Sequence, residues 1–414
     1  MIIISFIICL IIALLGLTKP LFASNTIKNL DTGQTIAYSE IDFKNDILAR
    51  YPNSKVYFPT KGIAHIKKTK YINSKPIKIN IVEINTKANP NLSIKPKTAS
   101  SKLNSKSTVR KIAQNSGAIV ALNGGFFKPQ TGVPLGALMI DGEILTGAIY
   151  NRVGIGIFED YQNGMKNTYF KMDNIDFDLK AVSKSGIFKI DNINQPRMLF
   201  SQSIIYTSSW GEFSPIAKND NWNLLIKGNK IEKVSANPIK IEQGGVVLQA
   251  NKELIKKLIK DREIYIEANL QEGFEKASHI IAAGPYLVKN SQIYVDVKTQ
   301  KLNAISGKNP RSAIGYREDM SLVLVTIDGR EEASVGMTLF ELASLMKSLG
   351  CKYAMNFDGG SSSTLFVKGN IVNSALNKEG VAVSNALIVK ENKSNIEVQI
   401  SSLDNKLENK EKRI

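Results

Sequence analysis

Residues 321–360 constrain the fold more strongly than any other stretch of this chain. The apolar run Ser321–Ile327 is typical of a buried strand, and a capping box over Thr338–Glu341 opens an amphipathic helix after it. A second apolar run, Tyr353–Phe357, predicts another strand. A strand, a helix and a strand in this order favour a right-handed βαβ unit with parallel strands. We therefore predict an α/β fold class (mixed α+β), with a mixed sheet that contains βαβ units.

Each of these two strands is followed by an aspartate and a glycine. Asp328-Gly329 follows the first strand, and Asp358-Gly359-Gly360 follows the second. The carboxyl ends of parallel strands share one edge of a sheet, where α/β proteins tend to bind ligands, so we expect the two carboxylates to lie together. Four hydroxyl residues at 361–364 suit a polar, anionic ligand. The alternative is that both aspartates are ordinary turn formers.

A second helix–strand unit earlier in the chain resembles this one. Gly117–Asn123 and Gly350–Asn356 share a glycine, an alanine four residues later and an asparagine six residues later. Both segments follow an amphipathic helix, and both lead into a turn that contains two glycines. We expect two related units that present Asn123 and Asn356 to one cleft. Chance similarity between two short strands is the alternative.

Composition along the chain predicts its domain organisation. Residues 1–23 are almost entirely apolar up to Thr18 and resemble a secretory signal, with an uncleaved membrane anchor as the alternative. Residues 24–60 predict a polar, poorly packed lead-in, and residues 61–390 one domain with a mostly β block at about 150–280. Within that domain, residues 87–106 predict a surface loop. Residues 391–414 predict a charged, disordered tail. We therefore expect an exported protein, periplasmic or extracellular, that meets a membrane only through an uncleaved signal.

The composition excludes several kinds of site. The 414 residues include only two histidines and two cysteines, and one of these, Cys9, lies in the signal. A Cys/His zinc site is therefore excluded, and no Gly-x-Ser-x-Gly elbow or phosphate loop is present. Cys351 is interpreted as a core residue, with a nucleophile as the alternative. Carboxylates, amides, hydroxyls and arginine remain, and that inventory suits hydrolysis at a glycosidic centre.

The chain is strongly basic, with a formal net charge of +17 that comes chiefly from lysine. Attraction to phosphate-containing glycans of a cell envelope is the functional interpretation. The compositional bias of a lysine- and asparagine-rich proteome is the alternative. Nucleic acid is disfavoured as a partner by the signal segment and by the absence of aromatic-basic clusters.

Five motifs in order, between about Gly62 and Val389, resemble those of the phosphodiester glycosidase family. They are Asn123-Gly-Gly-Phe-Phe127, Asn309-Pro-Arg-Ser-Ala-Ile-Gly315, Asp328-Gly-Arg330, Thr338-Leu-Phe-Glu-Leu-Ala343 and Asn356-Phe-Asp-Gly-Gly-Ser-Ser-Ser-Thr364. The resemblance implies a mixed α/β fold and the hydrolysis of a sugar-1-phosphodiester, which separates the sugar from a phosphomonoester. It implies no cofactor, although a divalent cation at the two aspartates stays an open alternative.

The resemblance also implies which residues form the site. The candidate catalytic residues are Asp358, Asp328 and Glu341. The candidate substrate-binding residues are Asn123, Gly124, Arg311, Asn356, Gly359, Gly360 and Ser361, and no metal ligand is assigned.

We hypothesise a role for each group. Arg311 and the amides of Gly359-Gly360 would hold the phosphate. Asp358 would act as acid or nucleophile with Asp328 as its carboxylate partner, and the two asparagines would bind sugar hydroxyls. The alternatives are a surface ion pair for Arg311 and a purely capping role for Glu341.

Two departures from the family's pattern leave the substrate range open. Glu379-Gly-Val-Ala382 stands where the family usually has an Arg-Pro pair, and Ser361 replaces a third glycine. The sequence thus predicts an exported hydrolase acting on envelope glycan or exopolysaccharide. The rival interpretations are a non-catalytic binding module for anionic glycans and a phosphodiesterase that cuts the other ester bond.

Overall fold

The computed structural model describes residues 25–28, 35–162, 165–195 and 203–392. The predicted signal at 1–23 and the predicted tail from residue 393 onwards lie outside this range. Within the described ranges, none of the helices combines the length and apolar character needed to span a membrane.

The described residues form four α-helices and twenty-eight strands. The first part of the chain contributes β1 Asn25–Lys28, β2 Thr35–Tyr38, α1 Glu40–Arg50, β3 Lys55–Thr60, β4 Ile63–Ile72, β5 Lys75–Ile84, β6 Leu92–Thr98, α2 Val109–Ser116, β7 Val120–Asn123, β8 Leu138–Ile140 and β9 Glu143–Thr146. The middle part contributes β10 Val153–Gln162, β11 Met165–Asn174, β12 Phe177–Ser183, β13 Gly186–Ile190, β14 Asn192–Ile193, β15 Ile204–Thr207, β16 Asn221–Lys227, β17 Lys230–Ser235, β18 Gly245–Asn251, α3 Lys252–Leu258, β19 Tyr265–Leu270 and β20 His279–Ala282. The last part contributes β21 Tyr286–Lys289, β22 Gln292–Ile293, β23 Arg311–Tyr316, β24 Leu322–Ile327, α4 Leu339–Ser348, β25 Tyr353–Asn356, β26 Leu365–Val367, β27 Asn370–Ile371 and β28 Asn385–Glu391.

The predicted α/β class with βαβ units is wrong, because strands dominate and their small sheets lie in a propeller-like arrangement. Two sheets frame the centre of the molecule. One has the strand order β22-β21-β25-β23-β24-β5-β4-β3, and the other has the order β27-β26-β7-β28-β6. The strands of both sheets pair antiparallel.

The predicted βαβ unit fails because β23 lies between β24 and β25 and pairs antiparallel with both. A connection of only five residues joins β23 to β24, which favours a hairpin over the long crossover that parallel pairing needs. β25 then pairs with the free side of β23. β24 and β25 still run in the same direction, so their carboxyl ends share one edge with the start of β23 at Arg311.

Two segments predicted to be irregular are ordered. The lead-in contains α1, whose capping box of Ser39 and Asp42 and whose buried Phe43 and Ile47 fix it in place. The predicted surface loop at 87–106 contains β6, which pairs with β28 along its whole length. Polar composition suggested exposure at both places, whereas pairing and burial depend on distant partners that local composition does not reveal.

Residues 150–280 contain mostly strands, with α3 as the one helix among the described residues of this range. Two local predictions are confirmed. A glycine in the left-handed conformation follows α2 at Gly117 and α4 at Gly350, and a strand follows each glycine. Cys351 is a core residue, and burial raises the pKa of its thiol to about 12.

The main core lies between the two central sheets. Ile314 and Met355 from the larger sheet belong to the same apolar cluster as Leu122 and Leu387 from the smaller one. A second cluster covers the other face of the larger sheet, where α1 and α4 bury their apolar sides. The site-bearing ends of β7 and β25 are therefore held by a continuous packed core.

A buried carboxylate, Glu83, fastens α1 to the larger sheet. Glu83 is 1% exposed and accepts both guanidinium nitrogens of Arg317, with Nη1 at 2.7 Å and Nη2 at 2.5 Å. Arg50 at the end of α1 donates to the same carboxylate at 2.5 Å, and the hydroxyl of Tyr51 completes the cluster. Two guanidinium groups and a hydroxyl thus compensate the cost of burying this charge.

We predict that Glu83→Gln lowers the free energy of unfolding by roughly 3 kcal/mol, because Arg317 is then buried without its counter-charge. Glu318→Gln is the control, since Glu318 pairs with Lys352 at the surface at 2.7 Å and should change stability by less than about 1 kcal/mol. Urea unfolding of both variants measures the difference. Equal, small losses would show that the buried cluster contributes no more than a surface pair.

Candidate active site

The two glycine turns predicted from the sequence meet in space. The side-chain amide of Asn123 donates to the backbone oxygen of Asp358 at 2.7 Å, and the Asp358 amide donates to the Gly124 oxygen at 3.1 Å. Asn123 ends β7 in one central sheet, while Asp358 follows β25 in the other. The ends of the two helix–strand units therefore lie side by side, while their relatedness and their presentation of both asparagines to one cleft stay predictions.

The two asparagines brace this junction from inside. The Asn123 side-chain oxygen accepts from the Ser312 hydroxyl at 2.6 Å and from the Thr364 amide at 3.1 Å. The Asn356 amide donates to the Gly284 oxygen at 3.0 Å and to the Phe357 oxygen at 2.6 Å. Both side chains are buried, and neither lines the cleft described below. The two asparagines therefore brace the junction of the turns, and their contacts with sugar hydroxyls stay a prediction.

Position 124 requires a glycine because β28 approaches its backbone closely. A Cβ atom on Gly124 would lie 1.9 Å from the side-chain oxygen of Asn385. Asn385 also accepts the Gly124 amide on its backbone oxygen at 3.0 Å and the Gly125 amide on its side-chain oxygen at 3.1 Å. The glycine pair therefore lets the turn fit between Asn385 and Asp358.

An open cleft of about 480 Å³ lies at this junction. Its lining consists of Lys106, Phe126, Phe127, Pro129, Asp358, Gly359, Ser361, Ser362, Val381 and Ala382. Asp358 is the one carboxylate in this lining, which comprises described residues only. Both departures from the family's pattern, Ser361 and the Val381-Ala382 pair, lie on the wall of the cleft.

Asp358 has the electrostatics of a reactive group. Its carboxylate accepts the Gly359 amide at 2.9 Å. Burial raises the pKa of Asp358 to about 6, against hydrogen bonds from Ser362 and Gly359 and the charge of Arg152, all of which lower it. A carboxyl group with a pKa near neutral pH, set in a cleft, is typical of an acid–base catalyst.

Arg152 is a charged residue beside the cleft that the sequence does not single out. It directly precedes β10 and belongs to none of the five motifs, so no local pattern distinguishes it from the other basic residues of the chain. Arg152 is 7% exposed, and its guanidinium lies 4.9 Å from the ring centroid of Phe126, which lines the cleft.

Arg311 is not the surface ion pair considered as an alternative. It is 2% exposed and donates from Nε to the Met337 oxygen at 2.9 Å and from Nη2 to the oxygens of Ile305 (2.7 Å) and Gly307. Burial, with the nearby charge of Arg330, lowers the pKa of Arg311 to about 10. Arg311 thus organises the 305–311 loop through backbone carbonyls.

The glycine amides that the sequence assigned to phosphate are already hydrogen-bonded. The Gly359 amide donates to the Asp358 side chain at 2.9 Å, and the Gly360 amide donates to the Pro310 oxygen at 2.9 Å. Gly359 also packs closely, since a Cβ there would lie 3.0 Å from that Pro310 oxygen. Arg330 lies over Gly360 and donates to the Asn309 side chain at 2.8 Å.

The other two candidate carboxylates, Asp328 and Glu341, are not among the described residues that line the cleft. Asp328 is 3% exposed and accepts the Ser374 amide at 2.9 Å, and burial raises its pKa. Glu341 forms the capping box with Thr338 and an ion pair with Lys308 at 3.2 Å. Burial acts to raise the pKa of Glu341, but hydrogen bonds from Thr338 and Lys308 outweigh it, and the pKa is lowered. The capping box predicted at Thr338 and Glu341 is therefore present, and the catalytic role of Glu341 stays a prediction.

Neither histidine is among the described residues that line this cleft. His65 is buried beside Asn80, at 3.1 Å, and His279 accepts the Asp141 amide at 2.9 Å. Burial lowers the pKa of both histidines. The described ranges contain no cluster of three or more His, Cys, Asp or Glu side chains that could hold a metal ion.

Residues 220–390 match the model of the phosphodiester glycosidase family, so the resemblance predicted from the motifs is confirmed over this range. Asp328, Asp358 and Arg311 fall inside the matched range, whereas Asn123 and Arg152 precede it.

Two curated proteins are similar to short parts of the chain. The SPbeta prophage-derived uncharacterized protein YomE of Bacillus subtilis is 37% identical over 117 residues, which is 28% of this chain and 18% of that protein. Mouse N-acetylglucosamine-1-phosphodiester alpha-N-acetylglucosaminidase is 28% identical over 97 residues, which is 21% of this chain and 19% of that protein. The chain thus matches less than a fifth of the length of either relative.

Two solved structures share the fold. A hypothetical protein from Synechocystis superposes with a TM-score of 0.71 at 22% identity, covering 82% of this chain and 64% of that one. A protein from Burkholderia pseudomallei gives a TM-score of 0.64 at 21% identity, covering 77% and 74% of the two chains.

We predict that Asp358→Asn stabilises the protein at alkaline pH. Because the pKa of Asp358 is raised in the folded protein, folding favours its protonated form. This contribution to stability is complete below the pKa of Asp358 in the unfolded chain, near 4, and is lost as pH rises through about 6. Above that pH the ionised carboxylate costs roughly 3 kcal/mol. The variant should therefore gain about that much at pH 8 and almost nothing at pH 4, as measured by denaturant unfolding.

Asp178→Asn is the control for this prediction, because Asp178 pairs with Lys180 at the surface. Its effect should stay within about 0.5 kcal/mol at both pH values. A gain for Asp358→Asn that is equal at pH 4 and pH 8 would contradict the ionisation argument.

We also predict that Gly124→Ala destabilises the protein by roughly 1–3 kcal/mol, because its Cβ would overlap Asn385. Gly211→Ala is the matched control, since a Cβ at Gly211 meets no atom within 4 Å. Thermal unfolding compares the two variants. A Gly124→Ala protein as stable as the control would show that β28 shifts at this point with little cost in stability.

Proposed function

We propose that this chain is an exported hydrolase that cleaves the glycosidic bond of a sugar-1-phosphodiester and releases free sugar and a phosphomonoester. The observation that carries the proposal is Asp358, a carboxyl group with a pKa of about 6 at the wall of a cleft, within electrostatic reach of Arg152. The match of residues 220–390 to the phosphodiester glycosidase family supports this choice of reaction.

The chemistry of the leaving group decides the role of Asp358. A phosphomonoester oxygen has a pKa near 6, so it departs as a stable anion without a proton from the enzyme. The slow step then needs an activated water at the anomeric carbon and a cation near the departing phosphate. Asp358, mostly ionised at neutral pH, is suited to act as the general base.

The bonds and protons balance in this step. The Asp358 carboxylate takes a proton from water, and the water oxygen forms a bond to the anomeric carbon. The bond from that carbon to the phosphate oxygen breaks, and its electron pair leaves with the phosphomonoester. Asp358 then returns its proton to solvent.

The remaining sequence candidates take supporting roles in this proposal. Arg311 holds the 305–311 loop, whose Pro310 oxygen contacts the Gly359-Gly360 turn, while Asp328 holds the Ser374 segment and Glu341 caps α4. The rings of Phe126 and Phe127, with the hydroxyls of Ser361 and Ser362, are the cleft groups suited to a sugar.

The proposed substrate class is a phosphate-containing glycan of the cell envelope or of exopolysaccharide. The net charge of +17 favours anionic polymers, and the apolar segment before Thr18 favours export to the periplasm or the medium.

We predict that the protein, incubated with a panel of sugar-1-phosphodiesters, releases free sugar and phosphomonoester. Because the ionised form of Asp358 is active, kcat/KM should rise with pH through about 6. Asp358→Asn should lower kcat by roughly 10²–10⁴-fold while substrate binding persists. Asp178→Asn should leave both unchanged.

Product identification separates the rival functions. Release of sugar-1-phosphate would identify a phosphodiesterase that cuts the other ester bond. Binding of the glycans without turnover would identify a binding module. Turnover unaffected by Asp358→Asn would remove Asp358 from the mechanism.

A further inference from the structure

Arg152 is a buried cation whose hydrogen-bonding capacity is largely unused. Its Nη1 makes one long hydrogen bond, to the Leu135 oxygen at 3.4 Å, and its buried Nε has no partner. Within the described ranges, no carboxylate lies within ion-pair distance of it. A guanidinium carries five N–H donors, and burying such a charge without partners is costly. An arrangement of this kind is typical of a group that awaits an anionic ligand.

The buried charge of Arg152 is partly compensated by two aromatic rings and one carboxyl group. Its guanidinium lies 4.9 Å from the ring centroid of Phe126 and 5.7 Å from that of Tyr150. Burial lowers the pKa of Arg152 to about 10, while the Coulombic influence of Tyr150 and Asp358 opposes that shift. The influence is mutual, because Arg152 in turn lowers the pKa of Asp358. Arg152 therefore belongs electrostatically to the cleft.

We propose that Arg152 binds the phosphate group of the substrate beside Asp358. The inference rests on the proposed function, and it transfers phosphate recognition from the Arg311 and glycine-amide set to a residue outside the sequence motifs.

Three other cationic groups near the cleft, those of Arg311, Arg330 and Lys106, are already engaged. Arg311 donates to three carbonyl oxygens, and Arg330 is held by Asn309. The ammonium group of Lys106 donates to the Pro129 oxygen. Arg152 retains the fork of donors that recognises phosphate in a bidentate manner, which a lysine cannot reproduce.

A phosphate at Arg152 would also explain how an anionic substrate approaches a carboxylate base. The guanidinium offsets the repulsion between the phosphate and ionised Asp358. Without Arg152, the Asp358 carboxylate would lose the positive charge that stabilises its ionised form, and the pKa of Asp358 would rise. Arg152 thus affects two observables, phosphate affinity and the pH at which Asp358 ionises.

The test uses inorganic phosphate as the probe and calorimetric titration of the full chain. Arg152→Gln should weaken phosphate binding at least tenfold and move the rising limb of kcat/KM to higher pH. Arg152→Lys, which keeps the charge but loses the fork, should restore the pH limb and recover only part of the affinity.

Lys171→Gln is the matched control. The Lys171 ammonium lies 4.9 Å from the ring centroid of Phe274, so this variant removes a cation over an aromatic ring away from the cleft lining. It should leave phosphate affinity and the pH profile unchanged.

The outcomes separate this inference from the proposed function. Unchanged phosphate affinity in Arg152→Gln overturns the role of Arg152, even if the protein cleaves sugar-1-phosphodiesters. Phosphate binding that depends on Arg152, without any turnover, supports the anion site and overturns the hydrolase. If Arg152→Gln fails to fold, NMR of the unsubstituted protein tests the proposal instead. The guanidinium signal of Arg152 is assigned as the one that disappears in Arg152→Lys. A shift of that signal on phosphate addition supports the proposal, and no shift refutes it.

Discussion

The reciprocal hydrogen bonds between Asp358 and the Asn123-Gly124 turn are the interaction on which the site depends. They join the end of β25 in one central sheet to the end of β7 in the other. The apolar core between the sheets fixes their separation, and these two bonds fix the relative position of the turns at its edge. The backbone of Asp358 makes both of these hydrogen bonds. Its side chain is therefore available to the Gly359 amide and to the cleft.

The glycines of both motifs serve close packing more than ligand binding. Gly124 admits Asn385, and Gly359 packs against the Pro310 oxygen. The amides of Gly359 and Gly360 are both hydrogen-bonded inside the protein. A glycine-rich turn after a strand suggests an anion cradle, but here the same glycines bring three backbone segments together around one carboxyl group. Under the proposed function, the binding chemistry therefore comes from side chains.

Local signals in the sequence predicted local structure well. The capping box at Thr338, the glycines that end α2 and α4 and the apolar strand runs all appear where the sequence placed them, because each depends on neighbours within a few residues. The sheet topology was not accessible in this way. The insertion of β23 between β24 and β25, and the pairing of β6 with β28, depend on which distant edge is free. Arg152 was missed for the same reason, since its importance comes from a carboxylate and a ring supplied by other parts of the chain.

The charge balance of the cleft links these points to specificity. Arg152 and Asp358 carry opposite charges that stabilise each other, yet they are not within ion-pair distance, so neither charge is fully neutralised by the other. Such a site favours a ligand that brings a negative charge to the guanidinium and an electrophilic carbon to the carboxylate, as a sugar phosphodiester does. Ser361, Val381 and Ala382 lie on the same lining but carry no charge. Changes at these positions would alter the sugar that fits while leaving the phosphate and the reacting carbon under the control of Arg152 and Asp358.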